Sequence, residues 1–214
     1  VYRESLRRKY DIPSGELVLM FAGGDWERKG VHYLIEALAL LSRLEVRLVI
    51  IGSGDEEFYG QLAELKQVRE RVIFVSHSSN LSKYYAASDV FVLPTLYEPF
   101  GLVIVEAMAS GLPVIASRVA GAADVIVDGV NGLLLREPSD VSEVAAKIEL
   151  LLSNAELRKT MGGHARKTAG NLSWDHVATK VMDVYVGILA GRHPERPRGR
   201  VPGGLQQSVQ GVAS

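Results

Sequence analysis

Six short runs of valine, isoleucine and leucine, separated by stretches of helical periodicity, constrain the fold of this chain more than any other feature. The runs are Leu17–Ala22, Val46–Ile51, Val72–Val75, Val90–Leu93, Val114–Ala116 and Leu133–Leu135. They show little alternation of apolar and polar residues, which is typical of parallel strands covered by helices on both faces. Strand–helix–strand alternation with short connections therefore predicts an α/β protein with a Rossmann-like, doubly wound parallel sheet.

The segments between these runs have helical periodicity, and so does the chain after the last run. Apolar stripes are formed by Leu34, Leu38 and Leu41 and by Leu62, Leu65 and Val68. The three C-terminal helices are expected at Val141–Leu152, Ala155–Thr168 and Trp174–Leu189. Ser173 is the expected N-cap of the last helix, because its side chain can accept a hydrogen bond from a free backbone amide.

The two ends differ in composition from the middle. Residues 1–10 and 192–214 each contain four basic residues against a single acidic one, and the second segment has few large apolar residues. We predict a linker or helix end at 1–15, one Rossmann-like domain at 16–191 and a disordered tail at 192–214. The chain starts at Val1 without an initiator methionine or a signal peptide, which indicates a piece of a longer protein.

Composition excludes several classes of function. With 24 basic and 25 acidic residues the net charge is −1, which argues against a nucleic-acid-binding protein. The absence of cysteine excludes disulfides, a thiol nucleophile and a thiolate metal site, and the histidines show no metal-ligand spacing. We therefore expect no bound metal, no transmembrane segment and a cytoplasmic protein; peripheral contact of the full-length protein with a membrane surface is an alternative.

The turn after the first apolar run is the first candidate ligand loop. In open parallel sheets, ligands bind at the carboxyl ends of the strands. Glycines at 23, 24 and 30 allow close backbone approach, and Lys29 beside a helix start can neutralise a phosphate. The turn has neither the P-loop pattern nor the G-x-G-x-x-G pattern of nicotinamide-dependent oxidoreductases. The alternative is that Arg28 and Lys29 form an ordinary solvated face.

The segment after the fourth run is the second candidate. Gly101 should begin a helix whose first free amides point to the ligand end of the sheet. Glu106 is the only charged residue between Gly101 and Arg118, and a buried carboxylate without partners costs several kcal/mol. We therefore expect hydrogen-bond donors at Glu106, either a pair of sugar hydroxyls or nearby backbone groups and Arg118. Glu98 lies in the preceding loop, and together these groups suit a sugar nucleotide.

The spacing of these two glutamates resembles a known family. Glu98 and Glu106, within EPFGLVIVEAMASGLPVIAS, resemble the E-x7-E segment of retaining glycosyltransferases with the GT-B fold, and the closest group is family 4 (glycosyl transferases group 1). Lys29-Gly30, GSG at 52–54, SHSSNLSKYYAASDVFVLPT, DGVNGLLL and SWDHVATKVMDVY follow in family order across residues 10–190. The resemblance covers the C-terminal, donor-binding half, so it implies one half of a GT-B fold without the N-terminal, acceptor-binding domain.

The resemblance also implies a role for each candidate site residue. Lys29 contacts the donor diphosphate, Glu106 holds the ribose hydroxyls, and Glu98 lies near the transferred sugar, so that Glu98 and Lys29 are the catalytic candidates. Backbone groups complete the donor site: those of Phe100 and Gly101 for sugar hydroxyls, Leu102 and Val103 for the diphosphate, and His77 and Ser78 for the base. Many relatives carry arginine where Gly24 stands here, and Arg28 is the expected replacement for that charge.

These observations predict the donor-binding half of a retaining glycosyltransferase. It would transfer a hexosyl group from a nucleoside-diphosphate sugar, a UDP-sugar or a GDP-sugar, without a cofactor and without a divalent metal. The fragment alone is expected to bind the donor but not to turn over. The alternative is a non-catalytic nucleotide-sugar-binding subunit that works with a separate acceptor-binding chain. A nicotinamide-dependent oxidoreductase is the third and weakest interpretation.

Overall fold

A single parallel sheet forms the centre of the computed structural model, which describes residues 2–41 and 45–191. Its strands are β1 (Leu17–Ala22), β2 (Val46–Ile51), β3 (Val72–Val75), β4 (Val90–Leu93), β5 (Val114–Ser117) and β6 (Leu133–Leu135). They lie in the order β3-β2-β1-β4-β5-β6, and every neighbouring pair is parallel. The order reverses between β1 and β4, so the predicted Rossmann-like, doubly wound sheet is confirmed.

The described residues also contain eight α-helices. They are α1 (Tyr2–Lys9), α2 (Val31–Leu40), α3 (Glu56–Leu65), α4 (Leu81–Ala87), α5 (Leu102–Ala109), α6 (Val141–Ser153), α7 (Ala155–Gly170) and α8 (Trp174–Leu189), with 3-10 turns at Arg69–Arg71 and Gly121–Val125. Ser173 caps α8 as predicted, because its hydroxyl accepts a hydrogen bond from the backbone amide of His176 at 3.3 Å. None of the helices in this part of the chain has the length and apolar character needed to cross a membrane.

The core is built from the strands and from one face of each of the helices α1 to α7. All four residues of β4 are fully buried, and in α5 the buried side chains are Ile104, Ala107 and Met108. The predicted stripe of α2 is buried, but the stripe predicted for α3 is wrong at Leu65, which is 77% exposed. Helix α3 instead buries the face that contains Tyr59, Leu62 and Ala63, and Leu65 points away from it at the last position of the helix.

The chain divides into two units between Leu172 and Ser173. The first contains the sheet and helices α1 to α7, and the described part of the second is helix α8. The predicted disordered tail at 192–214 lies outside the described residues. The predicted linker or helix end at 1–15 contains α1, whose Arg3 forms an ion pair with Asp89 at 2.7 Å.

Candidate functional site

The turn after β1 is anchored by an aromatic side chain. Trp26 is 3% exposed, stacks on Phe74 with ring centroids 5.5 Å apart, and donates a hydrogen bond from Nε1 to the Gly23 carbonyl oxygen at 2.9 Å. This anchoring fixes the backbone that presents the next three residues of the turn. Trp26 was not singled out from the sequence, although a tryptophan within a glycine-bounded turn is a usable signal for such an anchor.

Lys29 and Glu98, the two catalytic candidates, lie next to each other. The Lys29 Nζ atom is 3.0 Å from Oε2 of Glu98, and the two side chains are only 14% and 12% exposed. The contact is an ion pair rather than a hydrogen bond, because the buried Oε2 atom of Glu98 has no hydrogen bond of good geometry in the described residues. A buried carboxylate needs a compensating charge, and Lys29 supplies it.

Arg28 is already engaged by two protein groups, so its guanidinium is not free to bind a ligand. Its Nε atom lies 2.6 Å from Oδ2 of Asp25, its guanidinium also donates to the carbonyl oxygen of Tyr97, and Glu98 is at 4.0 Å. The hydrogen bond from Arg28 lowers the pKa of the Asp25 carboxyl below its ordinary value. Arg28 was expected to replace the positive charge missing at Gly24, but Asp25 largely neutralises the charge of Arg28.

Gly24, where the family resemblance leads us to expect an arginine, lies beside the turn that follows β2. A Cβ atom placed at Gly24 would be 3.1 Å from Oγ of Ser53. A larger side chain at this position would have to lead away from Ser53, and none of the side chains described here takes its place directly.

The loops after β1 and β4 form one joined unit. The Leu96 amide donates to the Arg28 carbonyl oxygen at 2.9 Å, and the fully buried Thr95 hydroxyl donates to the Tyr97 carbonyl oxygen at 2.8 Å. Gly30, at φ 76°, packs so closely on Pro94 that a Cβ atom there would lie 2.0 Å from the Pro94 carbonyl oxygen. This joint holds the Lys29 loop against the Glu98 loop. Thr95 was missed, although a polar residue two positions after a buried strand is a recognisable signal.

The start of α5 has the geometry of an anion-binding helix end. Gly101 is its N-cap in the left-handed region, at φ 89°. Leu102 and Val103 occupy the first two helical positions, where backbone amides have no acceptor within the helix. The preceding loop is fixed from the other side, since the Phe100 carbonyl oxygen accepts a hydrogen bond from the Ala122 amide at 2.6 Å. One carbonyl that was assigned to sugar hydroxyls thus already has a protein partner.

Glu106 faces a second part of the site and is not buried, contrary to the expectation behind its assignment. It lies on the exposed side of α5, opposite the face that packs on the sheet. Its Oε2 atom accepts a hydrogen bond from the Tyr85 hydroxyl at 3.0 Å, whereas Arg118, the alternative partner, lies 3.9 Å from Asp128. The expected donor exists, but it is a tyrosine that sequence reasoning missed.

His77 and Ser78 are brought to the same place as Glu106. These three residues and Tyr85 line a cavity of about 470 Å³ between the loop after β3 and helix α5. His77 is exposed and Ser78 is half-buried. The predicted base-binding and ribose-binding residues therefore share one cavity, while Lys29 and Glu98 lie at the loops that precede α2 and α5.

A second cavity lies at the loops after β1 and β2. It has a volume of about 620 Å³, and its lining includes Asp25, Trp26, His32, Asp55 and Phe58.

No cluster of three or more metal-ligating side chains occurs in residues 2–41 and 45–191.

The family model described as glycosyl transferases group 1 matches residues 2–168. The chain belongs to this family. It is 32% identical to lipopolysaccharide glucosyltransferase WaaG of Escherichia coli over 192 residues, which cover 88% of this chain and 51% of WaaG. A crystal structure of WaaG superposes with a TM-score of 0.77 over 87% of this chain and 51% of that one.

Two further solved structures define which part of the family fold is present. Anabaena HepE in complex with UDP and glucose is 27% identical, with a TM-score of 0.78 over 87% of this chain and 52% of HepE. The C-terminal domain of a glycosyl transferase group 1 protein (LpcC) from Francisella tularensis is 26% identical, with a TM-score of 0.71 over 79% of this chain and 91% of that domain. The chain spans about half the length of WaaG and HepE and matches a C-terminal domain of the family.

Proposed function

We propose that this chain is the donor-binding half of a retaining glycosyltransferase that transfers a hexosyl group from a nucleoside-diphosphate sugar. The observation that carries the proposal is the ion pair of Lys29 and Glu98 at the start of α5, with Glu106 on the same helix facing a cavity. The acceptor would be bound by an N-terminal half of the kind that completes the longer relatives.

The start of α5 is suited to the donor diphosphate. The amides of Leu102 and Val103 and the positive end of the helix dipole attract a phosphate, and Lys29, whose charge is paired with Glu98, has further N–H groups to donate to it. As the sugar bond breaks, negative charge grows on the leaving diphosphate, and these groups stabilise it. In this proposal, fixed groups of the protein stabilise the negative charge of the leaving diphosphate, which is the role of a divalent metal in metal-dependent transferases.

Glu98 is placed to act on the transferred sugar. Its carboxylate lies beside Lys29 and precedes the helix that would hold the diphosphate, which supports a position near the bond that breaks. Two roles fit this position, a transient nucleophile or an electrostatic partner of the positively charged sugar in a same-face attack. Retention of the anomeric configuration follows from the family resemblance, and Glu98 serves it in either role.

The Glu106 cavity is suited to the nucleoside. A carboxylate that accepts two hydrogen bonds matches the neighbouring hydroxyls of a ribose, and the loop at His77 and Ser78 offers main-chain groups to a base. UDP is the first probe, because HepE was crystallised with UDP and glucose, and GDP is the second.

Replacing Glu106 with alanine should weaken the binding of the nucleoside diphosphate by about 1.5–3 kcal/mol, or roughly 10- to 150-fold, because two ribose hydroxyls lose a charged acceptor. Calorimetric titration of UDP and GDP into both proteins measures the effect. Glu156→Ala, which removes an exposed carboxylate from α7, is the matched control and should bind like the parent. Unchanged affinity in a folded Glu106→Ala protein would disprove the ribose assignment.

Nucleoside diphosphate binding should persist in excess chelator and should fall by about 10-fold or more in Lys29→Ala, since one charge-assisted contact to phosphate is lost. The control Lys159→Ala removes an exposed lysine from α7 and should have no effect. The melting temperature must be recorded with each affinity, because Lys29→Ala also leaves the Glu98 carboxylate without its ion pair. An absolute requirement for magnesium or manganese would contradict the role given to Lys29.

A further inference from the structure

One buried hydroxyl links two helices at the nucleotide cavity. Tyr85 of α4 is 2% exposed, and its hydroxyl lies 3.0 Å from Oε2 of Glu106 and 3.3 Å from the carbonyl oxygen of Val103, both on α5. A phenol has a single proton to donate, and the shorter contact, to the charged oxygen, is the stronger hydrogen bond. The Tyr85 hydroxyl is therefore a donor to the Glu106 carboxylate.

The surroundings of Tyr85 keep this hydroxyl protonated and in place. Its ring packs near Phe91 of β4, with centroids 6.1 Å apart. Burial, and then the negative charge of Glu106, raise the pKa of Tyr85 well above its ordinary value. The group is thus a permanent donor on a rigid side chain, whereas the carboxylate it contacts is on an exposed residue.

No other hydrogen bond to the Glu106 carboxylate occurs within residues 2–41 and 45–191. An exposed glutamate has several rotamers of similar energy, and only some of them direct both oxygens into the cavity. The hydrogen bond from Tyr85 to Oε2 favours one orientation of the carboxylate, in which Oε1 and the remaining acceptor capacity of Oε2 can serve a ligand.

We propose that Tyr85 is a positioning residue that holds the Glu106 carboxylate in the orientation needed to accept two hydrogen bonds from the ribose of the donor nucleotide. This inference rests on the proposed function and adds a residue that the family resemblance did not assign. The proton of the Tyr85 hydroxyl is donated to Glu106, so its effect on the ribose is transmitted through Glu106.

The test compares Tyr85→Phe with the neighbouring change Tyr84→Phe. Tyr84 is on the same helix and is also buried, but its hydroxyl lies 3.2 Å from that of Tyr10 and contacts the Ser78 side chain, not Glu106. The affinities of UDP and 2′,3′-dideoxy-UDP are measured by calorimetry, with the corresponding GDP pair in parallel. In Tyr85→Phe the affinity of the ribose nucleotide should fall by about 5- to 10-fold, and that of the dideoxy nucleotide should not change. Tyr84→Phe should leave the ratio of the two affinities unchanged, because its contact with Ser78 concerns the base, which both nucleotides share.

A merely structural role for Tyr85 would weaken both nucleotides equally, and that result, or unchanged affinity for both, would overturn the proposal. A second measurement does not need a nucleotide. NMR scalar couplings about χ1 and χ2 of Glu106 should report one rotamer in the parent and in Tyr84→Phe, and averaging in Tyr85→Phe. If the parent binds neither UDP nor GDP, the proposed function fails, and the couplings still decide whether Tyr85 orients Glu106.

Discussion

Purified residues 1–214 should transfer sugar to no acceptor at a rate above background, even when they bind the nucleotide of the donor. Catalysis of group transfer requires donor and acceptor to be held in reacting geometry, and such positioning supplies roughly 7–11 kcal/mol of the barrier. The chain spans 51% of WaaG, so in a two-domain glycosyltransferase it would provide only one wall of the cleft. The measurement is a donor-consumption assay with a panel of UDP-sugars, GDP-sugars and acceptors.

The same assay, repeated with an N-terminal half supplied in trans, tests whether sugar transfer needs a second, acceptor-binding domain. The corresponding half of WaaG, with its own acceptor, is an available partner. Transfer that appears only with the added half supports both a divided enzyme and a donor-binding subunit that needs a partner chain. Fast transfer by residues 1–214 alone would contradict the half-enzyme proposal, because a single domain would then hold both substrates.

Replacing Gly30 with alanine should lower the free energy of unfolding by at least about 3 kcal/mol, a large part of the stability of a domain of this size. Two costs add. The residue has φ 76°, a left-handed conformation that disfavours a Cβ atom, and that atom would lie 2.0 Å from the Pro94 carbonyl oxygen. The loops that carry Lys29 and Glu98 would have to separate, so nucleotide affinity should fall as well. Urea unfolding monitored by tryptophan fluorescence measures the change.

Gly129→Ala is the matched control for this prediction. Gly129 has nearly the same backbone conformation, with φ 80°, but a Cβ atom there would meet no other heavy atom within 4 Å. Only the conformational cost remains, so the expected loss is about 1–2 kcal/mol. Equal losses in the two variants would show that the contact between Gly30 and Pro94 does not join the two loops.

The sequence by itself determined the sheet and most of the helices. Each strand is a local run of β-branched and leucine side chains, and the residues that start helices, such as Gly101 and Ser173, act within a few positions of themselves. Local patterns also predicted which loops lie at the carboxyl edge of the sheet, because parallel strands place all their carboxyl ends on one side. Candidate residues such as Lys29 and Glu98 were found in this way.

The tertiary structure alone decided the contacts between those residues and how exposed they are. Lys29 and Glu98 form an ion pair although they lie on loops of different strands, and Tyr85 meets Glu106 across two helices. No local pattern encodes such pairs, since they depend on which strands are neighbours in the sheet. The exposure of Glu106 and of Leu65 has the same origin. A helical period shows that one face is apolar, but only packing decides which residues at its margin are covered.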